Sequence, residues 1–408
     1  MEKDLKKYIF QTGHGKGLSK MELEATSGAE ALVDEVEDGF VLEQAALPDP
    51  IAHLDRLGGV VRILEVIQSG PATMPLNFEE WVTKAVETEV KNTEGKVRYG
   101  VSMHPKSEKV LTKILIGSKK RLKESLGNTR FVNKNFQNLS SVQAWHEHLL
   151  DDGAIELHLF QSQKNGKADE KGKWYLGKTV AIQNFESYSH RDYNRPARST
   201  KNGMFPPKLA QVLINIAIGD ISPSTDVTIW DPFCGSGTVL QEAWLMGCRS
   251  QGSDLAPNLI DDAKANLEWL KYEYQLRDTP QVEVKDATEL TAYDIPKDPR
   301  FLVSETTLGP ALLHALPADE LKEIQVELET LYEGFFQNLK KIVKEPLTVV
   351  FTAPYHRLGN ERLFLPHLPK ILGKYTEVVP LSDHQRPSLF FERKDQLVSR
   401  EIWKVIVG

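Results

Sequence analysis

TIWDPFCGSGTVLQEA, residues 228–243, reads as an apolar strand that runs into Asp231, turns through Gly235-Ser236-Gly237 and enters a helix at about Thr238. Glycine suits such a turn because the backbone angles are unusual and because a Cβ would hold a ligand off the backbone N–H groups. From Met204 onward helix and strand alternate around it: PPKLAQVLINIAIG, VTIWD, TVLQEAWLMG, RSQGSD, LIDDAKANLEWLKYEY, QVEVKD and FLVSE. That rhythm means parallel strands with helices on both faces. The helix ELKEIQVELETLYEGFFQNLKKI and the strand LTVVFTAP follow, then SLFFER and EIWKVIV, close enough in sequence to pair antiparallel. The expected fold class is α/β: a Rossmann-like sheet, parallel except for an antiparallel terminal hairpin.

The turn also predicts a ligand. A helix opening at Gly235, Gly237 and Thr238 offers unpaired N–H donors and a positive dipole end to a carboxylate. A nucleoside site further needs an acid at the end of the next strand, about 20 residues on, to hold ribose hydroxyls. Asp254, closing RSQGSD, stands there, and Asp286 at the end of the third strand is placed to accept from an adenine amino group. Three acids, Asp231, Asp254 and Asp286, thus fall at the carboxyl ends of successive strands, where ligands bind in open α/β sheets. Phe233, Leu255 and Ala287 flank them and complete the expected cofactor-binding set. Carboxylates also suit a cationic sulfonium, so the expected cofactor is S-adenosyl-L-methionine and the sheet that of a class I methyltransferase. The simpler alternative is that each aspartate merely caps the helix after it.

Residues 1–75 read as strand, helix, two strands, helix, strand, a ferredoxin-like order, and residues 76–185 as a second small α+β domain. Residues 186–205, with ESYSHRDYNRPARSTKNG at their core, carry no period of 2 or 3.6 and read as a linker to the sheet domain of 206–408. The net charge of −7 excludes a protein coated in positive charge, so a nucleic-acid partner must be met by a local basic face. Cys234 and Cys248 lack CxxC spacing and nearby histidines, so neither a disulfide framework nor a metal site is expected. With no apolar run long enough to cross a bilayer, no membrane is expected and a cytoplasmic location follows.

The motifs carry a resemblance. Tyr188 followed by RDYNRP (191–196), MFPPKLAQVLINIA (204–217), and DPFCGSGTVLQEA with GSDL resemble the THUMP-containing tRNA guanosine N2-methyltransferases, guanosine-10 type; LSKMELEA, DRLGGVVRI and YLGKTVAIQNF add weaker likeness. The resemblance implies a THUMP-like RNA-binding domain over 76–185, S-adenosyl-L-methionine as cofactor, tRNA as partner and, as for some relatives, a small activator subunit. It also implies a catalytic D/N-P-P-Y/F after the fourth strand. There a side-chain carbonyl and a backbone carbonyl accept from the exocyclic amine while the aromatic ring stacks on the base. This chain has Ser304-Glu305-Thr306-Thr307-Leu308-Gly309-Pro310 instead. Glu305, with Ser304, is the expected catalytic position, one methylene longer than aspartate and without proline or aromatic after it. Three readings stay open: a variant site that methylates an amine, a site retuned to another acceptor, and a cofactor-binding protein without transfer.

For RNA contact, the stretch Lys106–Lys134 holds nine basic residues against Glu108 and Glu124; Lys119, Lys120, Arg121 and Lys123 are its centre. The alternative is an ordinary solvated helix face. Arg191 and Arg195 extend the RNA-facing set, unless Arg191 pairs with Asp192 to fix the linker. GHGKG (13–17) lacks the order of a phosphate-binding loop and reads as a turn, and His146 and His148 point to different helix faces, which argues against a metal pair. Two other classes compete with an RNA methyltransferase: a scaffold that keeps the fold without turnover, and a DNA amino-methyltransferase.

Overall fold

The structure, a computed structural model, describes residues 5–13, 15–71, 76–90, 96–164, 167–168, 172–198, 205–297, 300–310, 312, 314, 316–358, 361–382, 386–393 and 396–408. His14 of GHGKG, residues 199–204 of the expected linker, and residues 383–385 and 394–395 on either side of SLFFER lie outside the described residues. The chain divides into two units, Met1–Lys20 with Ser27–Phe185, and Met21–Thr26 with Glu186–Gly408.

Through Ile182 the elements are β1 (Leu5–Thr12), α1 (Lys16–Ser27), β2 (Leu32–Val36), β3 (Gly39–Ala45), α2 (Pro50–Asp55), β4 (Val60–Gly70), α3 (Leu76–Glu89), β5 (Val97–His104), α4 (Glu108–Leu126), β6 (Thr129–Phe131), α5 (Ser141–His146), β7 (Ala154–Gln161), β8 (Gln163–Lys164), β9 (Lys167–Ala168) and β10 (Trp174–Ile182). Eight of the strands form one sheet, ordered β2-β3-β1-β4-β10-β7-β5-β6. Segments 1–75 and 76–185 meet within it, because β10 pairs antiparallel with β4 from Trp174↔Gly70 to Ile182↔Arg62. Leu111, Ile114, Leu115, Ser118 and Leu122 repeat at helical spacing on α4 and are buried. They pack with Phe78, Val82 and Val86 of α3 on Val101, Leu157 and Leu159 of the sheet, leaving the lysines of α4 on the outer face.

This sheet carries a buried ionic network. Arg62 Nε and Nη2 bond Glu156 Oε2 and Oε1, each at 3.1 Å, and Thr179 Oγ1 donates to Oε2 at 2.7 Å. His158 Nε2 lies 3.1 Å from Glu156 Oε1, and His158 Nδ1 lies 3.3 Å from His104 Nε2. Burial lowers the His158 pKa, more than Glu156 raises it, to about 4. Burial raises that of Glu156, but the charges of Arg62 and His158 and the hydrogen bonds outweigh it and bring it to about 2. Both groups therefore bind protons more readily when the chain unfolds, so stability of this unit rises with pH across those intervals. We expect it to be flat from pH 6.5 to about 9, below the range where the raised Tyr99 and Tyr175 begin to titrate in the unfolded chain, to fall as pH drops from 6.5 towards 4 as unfolded His158 takes up a proton, and to fall again from 4.5 towards 2 through Glu156. Amide exchange of β7 and β10 against pH checks this; protection unchanged between pH 7 and 4.5, or an identical profile in His158→Gln, would contradict it.

The second unit contains α6 (Phe185–Tyr193), α7 (Pro207–Ile218), β11 (Thr228–Asp231), α8 (Thr238–Leu245), β12 (Arg249–Asp254), α9 (Pro257–Tyr274), β13 (Gln281–Val284), β14 (Arg300–Glu305), α10 (Ala318–Ile342), β15 (Leu347–Leu358), β16 (Glu361–Leu363), α11 (Leu368–Tyr375), β17 (Glu377–Val379), β18 (Leu389–Phe391) and β19 (Val398–Val407). Its sheet runs β13-β12-β11-β14-β15-β19-β17, with β16 beside β15 and β18 beside β19. The first five strands are parallel and β19 is antiparallel to β15, as the alternating pattern predicts. The pairing of SLFFER with EIWKVIV is present as β18–β19, while β17 was too short to carry a period. Phe335, Phe336 and Leu339 of α10 pack on Leu302, Val349, Phe351 and Trp403 of the sheet. The expected linker is different: it opens as α6, a helix with no strong apolar stripe, ordered by an ion pair from Arg191 to Glu242 of α8.

Candidate active site at the carboxyl edge of the parallel sheet

β11 is buried along its whole length and delivers Asp231 to the sheet's carboxyl edge with only 1% of its surface exposed. Asp231 Oδ1 accepts from Phe233 N (3.1 Å) and from Ser304 Oγ (2.7 Å), joining the ends of β11 and β14. The chain then turns through Gly235, at φ +51°, and Gly237, at φ +85°, which opens α8. These left-handed angles suit glycine, and a Cβ on Gly235 would project into open space above the loop. Asp254 grips the same loop: its Oδ2 accepts from Gly235 N and its Oδ1 from Ala256 N, both at 3.0 Å. Asp286 Oδ1 accepts from Thr288 N at 2.8 Å. Each aspartate therefore fastens the turn after it, but none caps a helix: the N-caps of α8 and α9 are Gly237 and Ala256, and among the described residues no helix follows Asp286 before β14.

The same three aspartates nevertheless line one cavity of about 500 Å³, together with Phe233, Gly235, Thr238, Leu255, Ala287 and Glu305. Gly237 and Ser304 do not line it. Gly237 shapes the turn, and Ser304 is fully buried, so its expected catalytic place is corrected to that of a donor fixing Asp231. Burial drives the Asp231 pKa up to about 8; the hydrogen bonds from Ser304 and Phe233 oppose the rise, and the charges of Asp254 and Glu305 add to it. The cavity is an acid-rich environment whose repulsion a bound cation would relieve.

Glu305 closes β14. Arg400 of β19, 2% exposed, donates from Nε to Glu305 Oε1 at 2.6 Å, and its guanidinium lies 5.7 Å from the ring centre of Phe205, which also lines the cavity. Burial raises the Glu305 pKa, against the opposing charge and hydrogen bond of Arg400. The next residue fixes the loop without proline: Thr306 Oγ1 donates to the Thr352 carbonyl at 2.6 Å and also bonds the Tyr332 hydroxyl. Thr306, Thr307, Leu308 and Gly309 then border the cavity, with Gly309 at φ +80°. Arg400, Phe205 and Thr306 were not singled out in the sequence. Arg400 lies 95 positions from its partner, just before EIWKVIV, and no local spacing marks it.

Two basic residues expected to face RNA do not. Arg191 is buried, bonding Glu242 Oε1 and Oε2 at 2.8 and 3.1 Å, so its partner is Glu242 and not Asp192. Arg195 is 3% exposed and donates to Thr238 Oγ1 at 2.7 Å. A guanidinium enclosed by protein cannot meet a phosphate, and both are corrected to braces of α8. Lys119, Lys120, Arg121 and Lys123 are exposed on α4; Arg121 pairs with Glu79 at 2.7 Å and Lys119 lies over the Phe131 ring.

Residues 195–359 match the UPF0020 family, the RMKL-like methyltransferase domain. The tRNA (guanine(10)-N2)-dimethyltransferase of Methanocaldococcus jannaschii is 35% identical across 39% of this chain and 52% of its own length. That of Pyrococcus abyssi is 27% identical across 41% and 43%. The chain spans about half the length of these curated relatives. TrmN from Thermus thermophilus superposes at a TM-score of 0.53, with 16% identity, covering 98% of this chain and all of that one. The second unit has the class I methyltransferase fold, and its cavity lies where that fold receives its ligands.

Proposed function

We propose, from the likeness to the tRNA guanosine N2-methyltransferases, that this chain transfers a methyl group from S-adenosyl-L-methionine to the exocyclic N2 of a guanosine in tRNA. The observation that carries the reading is that Glu305, at the position of the family's catalytic acid, shares one cavity with Asp231, Asp254 and Asp286. The residues fit the cofactor: nothing lies within 4 Å of where a Cβ on Gly235 would sit, and carboxylates line the cavity that would take a cation, although the Gly235 and Gly237 N–H groups are already bonded to Asp254 Oδ2 and the Cys234 carbonyl. When bound, the cofactor supplies an electrophilic methyl group. Thr238 at the opening of α8 would receive its carboxylate end, with Gly235 leaving room for it, Asp254 its ribose hydroxyls and Asp286 its adenine amine, with Phe233, Leu255 and Ala287 enclosing them. Glu305 accepts an N–H of the guanine amine and aims its lone pair, while Thr306 keeps the loop in place through Thr352.

We read residues 1–75 as ferredoxin-like, 76–185 as the THUMP-like RNA-binding part, 186–205 as the connection, and 206–408 as catalytic. A small activator subunit and a cytoplasmic location belong to the same proposal; among the described residues no helix is long and apolar enough to cross a membrane. The test is incubation with labelled cofactor and unmodified tRNA, followed by nucleoside digestion, with N2-methylguanosine expected. Absence of product with any RNA would favour a non-catalytic RNA-binding scaffold, a reading motivated by the altered SETTLGP loop. Methylation of duplex DNA in place of tRNA would favour an amino-methyltransferase of DNA.

The lysines of α4 give a second expectation. Changing Lys119, Lys120 and Lys123 together to glutamate should weaken tRNA binding by about tenfold or more near 0.1 M salt and flatten the dependence of log K on log salt by about 2. A salt titration with an unchanged slope would remove α4 from the interface.

A further inference from the structure

The catalytic acid of this site is not free: one of its oxygens is already taken. Glu305 Oε1 accepts from Arg400 Nε at 2.6 Å, and Arg400 is 2% exposed and does not itself line the cavity, so it reaches the site only through Glu305. Its plane is supported by Phe205, over whose ring it lies. Among the described residues, the other titratable groups that feel the Glu305 charge are Asp231 of β11 and Tyr332 of α10, and Asp254 adds to the charge on Asp231. Among the described residues, Arg400 is the cation that acts on Glu305. Arg400 opposes the rise in the Glu305 pKa that burial drives, so its removal favours the protonated acid, which would offer the incoming amine a donor in place of an acceptor.

We infer that Arg400 is a positioning residue for methyl transfer: by occupying Oε1 it holds Glu305 as a carboxylate and turns Oε2 towards the acceptor amine. This goes beyond the general role of an acid at this position, because it fixes which oxygen works, and it rests on the reading of Glu305 as the amine's acceptor. It has a consequence peculiar to this arrangement. In Glu305→Gln the amide must offer its single oxygen to Arg400, which has only donors, and its NH2 then faces the amine's own N–H. The amide should therefore fail beside Arg400 and recover when Arg400 is removed, since it can then rotate to present its oxygen.

The test has two parts. With glutamate labelled at the side-chain carboxyl carbon, the Glu305 resonance is identified by its loss in Glu305→Gln and followed against pH by NMR. Arg400→Met should move its titration midpoint upward by at least about one pH unit relative to the parent, and Arg400→Lys, which keeps the charge, by less than half of that. An unchanged midpoint in Arg400→Met overturns the inference whether or not the protein methylates RNA. Where transfer is measurable, Arg400→Met should lower kcat at pH 7 by about tenfold or more and regain activity as pH rises. Glu305→Gln should be nearly inactive, and the double variant Glu305→Gln/Arg400→Met should exceed it about tenfold. A double variant no better than the single one overturns the assignment of Oε2. If the parent transfers no methyl group to any RNA, the functional reading fails, and the carboxyl titration still decides the role of Arg400. Should Arg400→Met not fold, Arg400→Lys carries the decision: a midpoint shift of a full unit despite the retained charge would overturn the inference.

Discussion

Glu305→Ala should lower methyl transfer by about 100-fold or more while the dissociation constant for S-adenosyl-L-methionine stays within about threefold. The split follows from where the side chain stands. Glu305 borders the cavity at the end of β14, whereas the turn of Gly235 and Thr238 and the acids Asp254 and Asp286 belong to β11, β12 and the loops after them and β13. An exocyclic amine is a poor nucleophile because its lone pair is delocalised into the ring, so a lost acceptor costs orientation at the moment of attack and little in cofactor binding. Removing Glu305 also leaves Arg400 buried with a vacant donor, so the alanine variant should be less stable than its parent. Calorimetric titration with the cofactor separates these effects: equal activity in the variant moves the catalytic role elsewhere, and a large loss of cofactor affinity places Glu305 in the cofactor site.

What the sequence made legible was local. β11, its glycine turn and α8 occupy one continuous stretch, Asp231 and Asp254 end strands and Asp286 follows two residues after β13, so their common edge follows from topology alone. Parallel alternation was equally readable, since long helices and apolar strands announce their own periods. The unread parts are those fixed by distant partners. Arg400 acquires meaning only when β19 returns beside β15, and β15 beside β14, bringing it to Glu305. Phe205 borders a polar stretch and gains its place from the cavity, not from any pattern around it. Thr306 does the work expected of a proline, but by a hydrogen bond to Thr352, which no local spacing foretells. Arg191 and Arg195 misled for the opposite reason: arginine in a polar segment reads as surface, and here tertiary pairing buries both.

Those two arginines yield the largest stability effect. Glu242→Ala should destabilise the second unit by about 3–5 kcal/mol, the usual result of leaving one member of a buried ion pair alone. Arg191 is fastened by both oxygens of Glu242 and by Ser187 Oγ, with its guanidinium 4.5 Å from the centre of the Tyr188 ring, so it has no route to water when Glu242 is gone. Burial acts against its charge, yet the Glu242 partnership raises its pKa above the ordinary value, so the guanidinium stays charged and must pay in stability. The damage should reach the cofactor turn, because Glu242 is one turn along α8 from Thr238, where Arg195 makes its own bond. Removing both charges while keeping volume, as Arg191→Met/Glu242→Leu, should recover most of the loss, since a buried pair is often no more stable than apolar residues of similar size. Urea unfolding of the parent, the single and the double variant decides the matter. A Glu242→Ala midpoint equal to the parent's would mean that RDYNRP is not a brace of the catalytic unit, and would return Arg191 to the residues available for RNA.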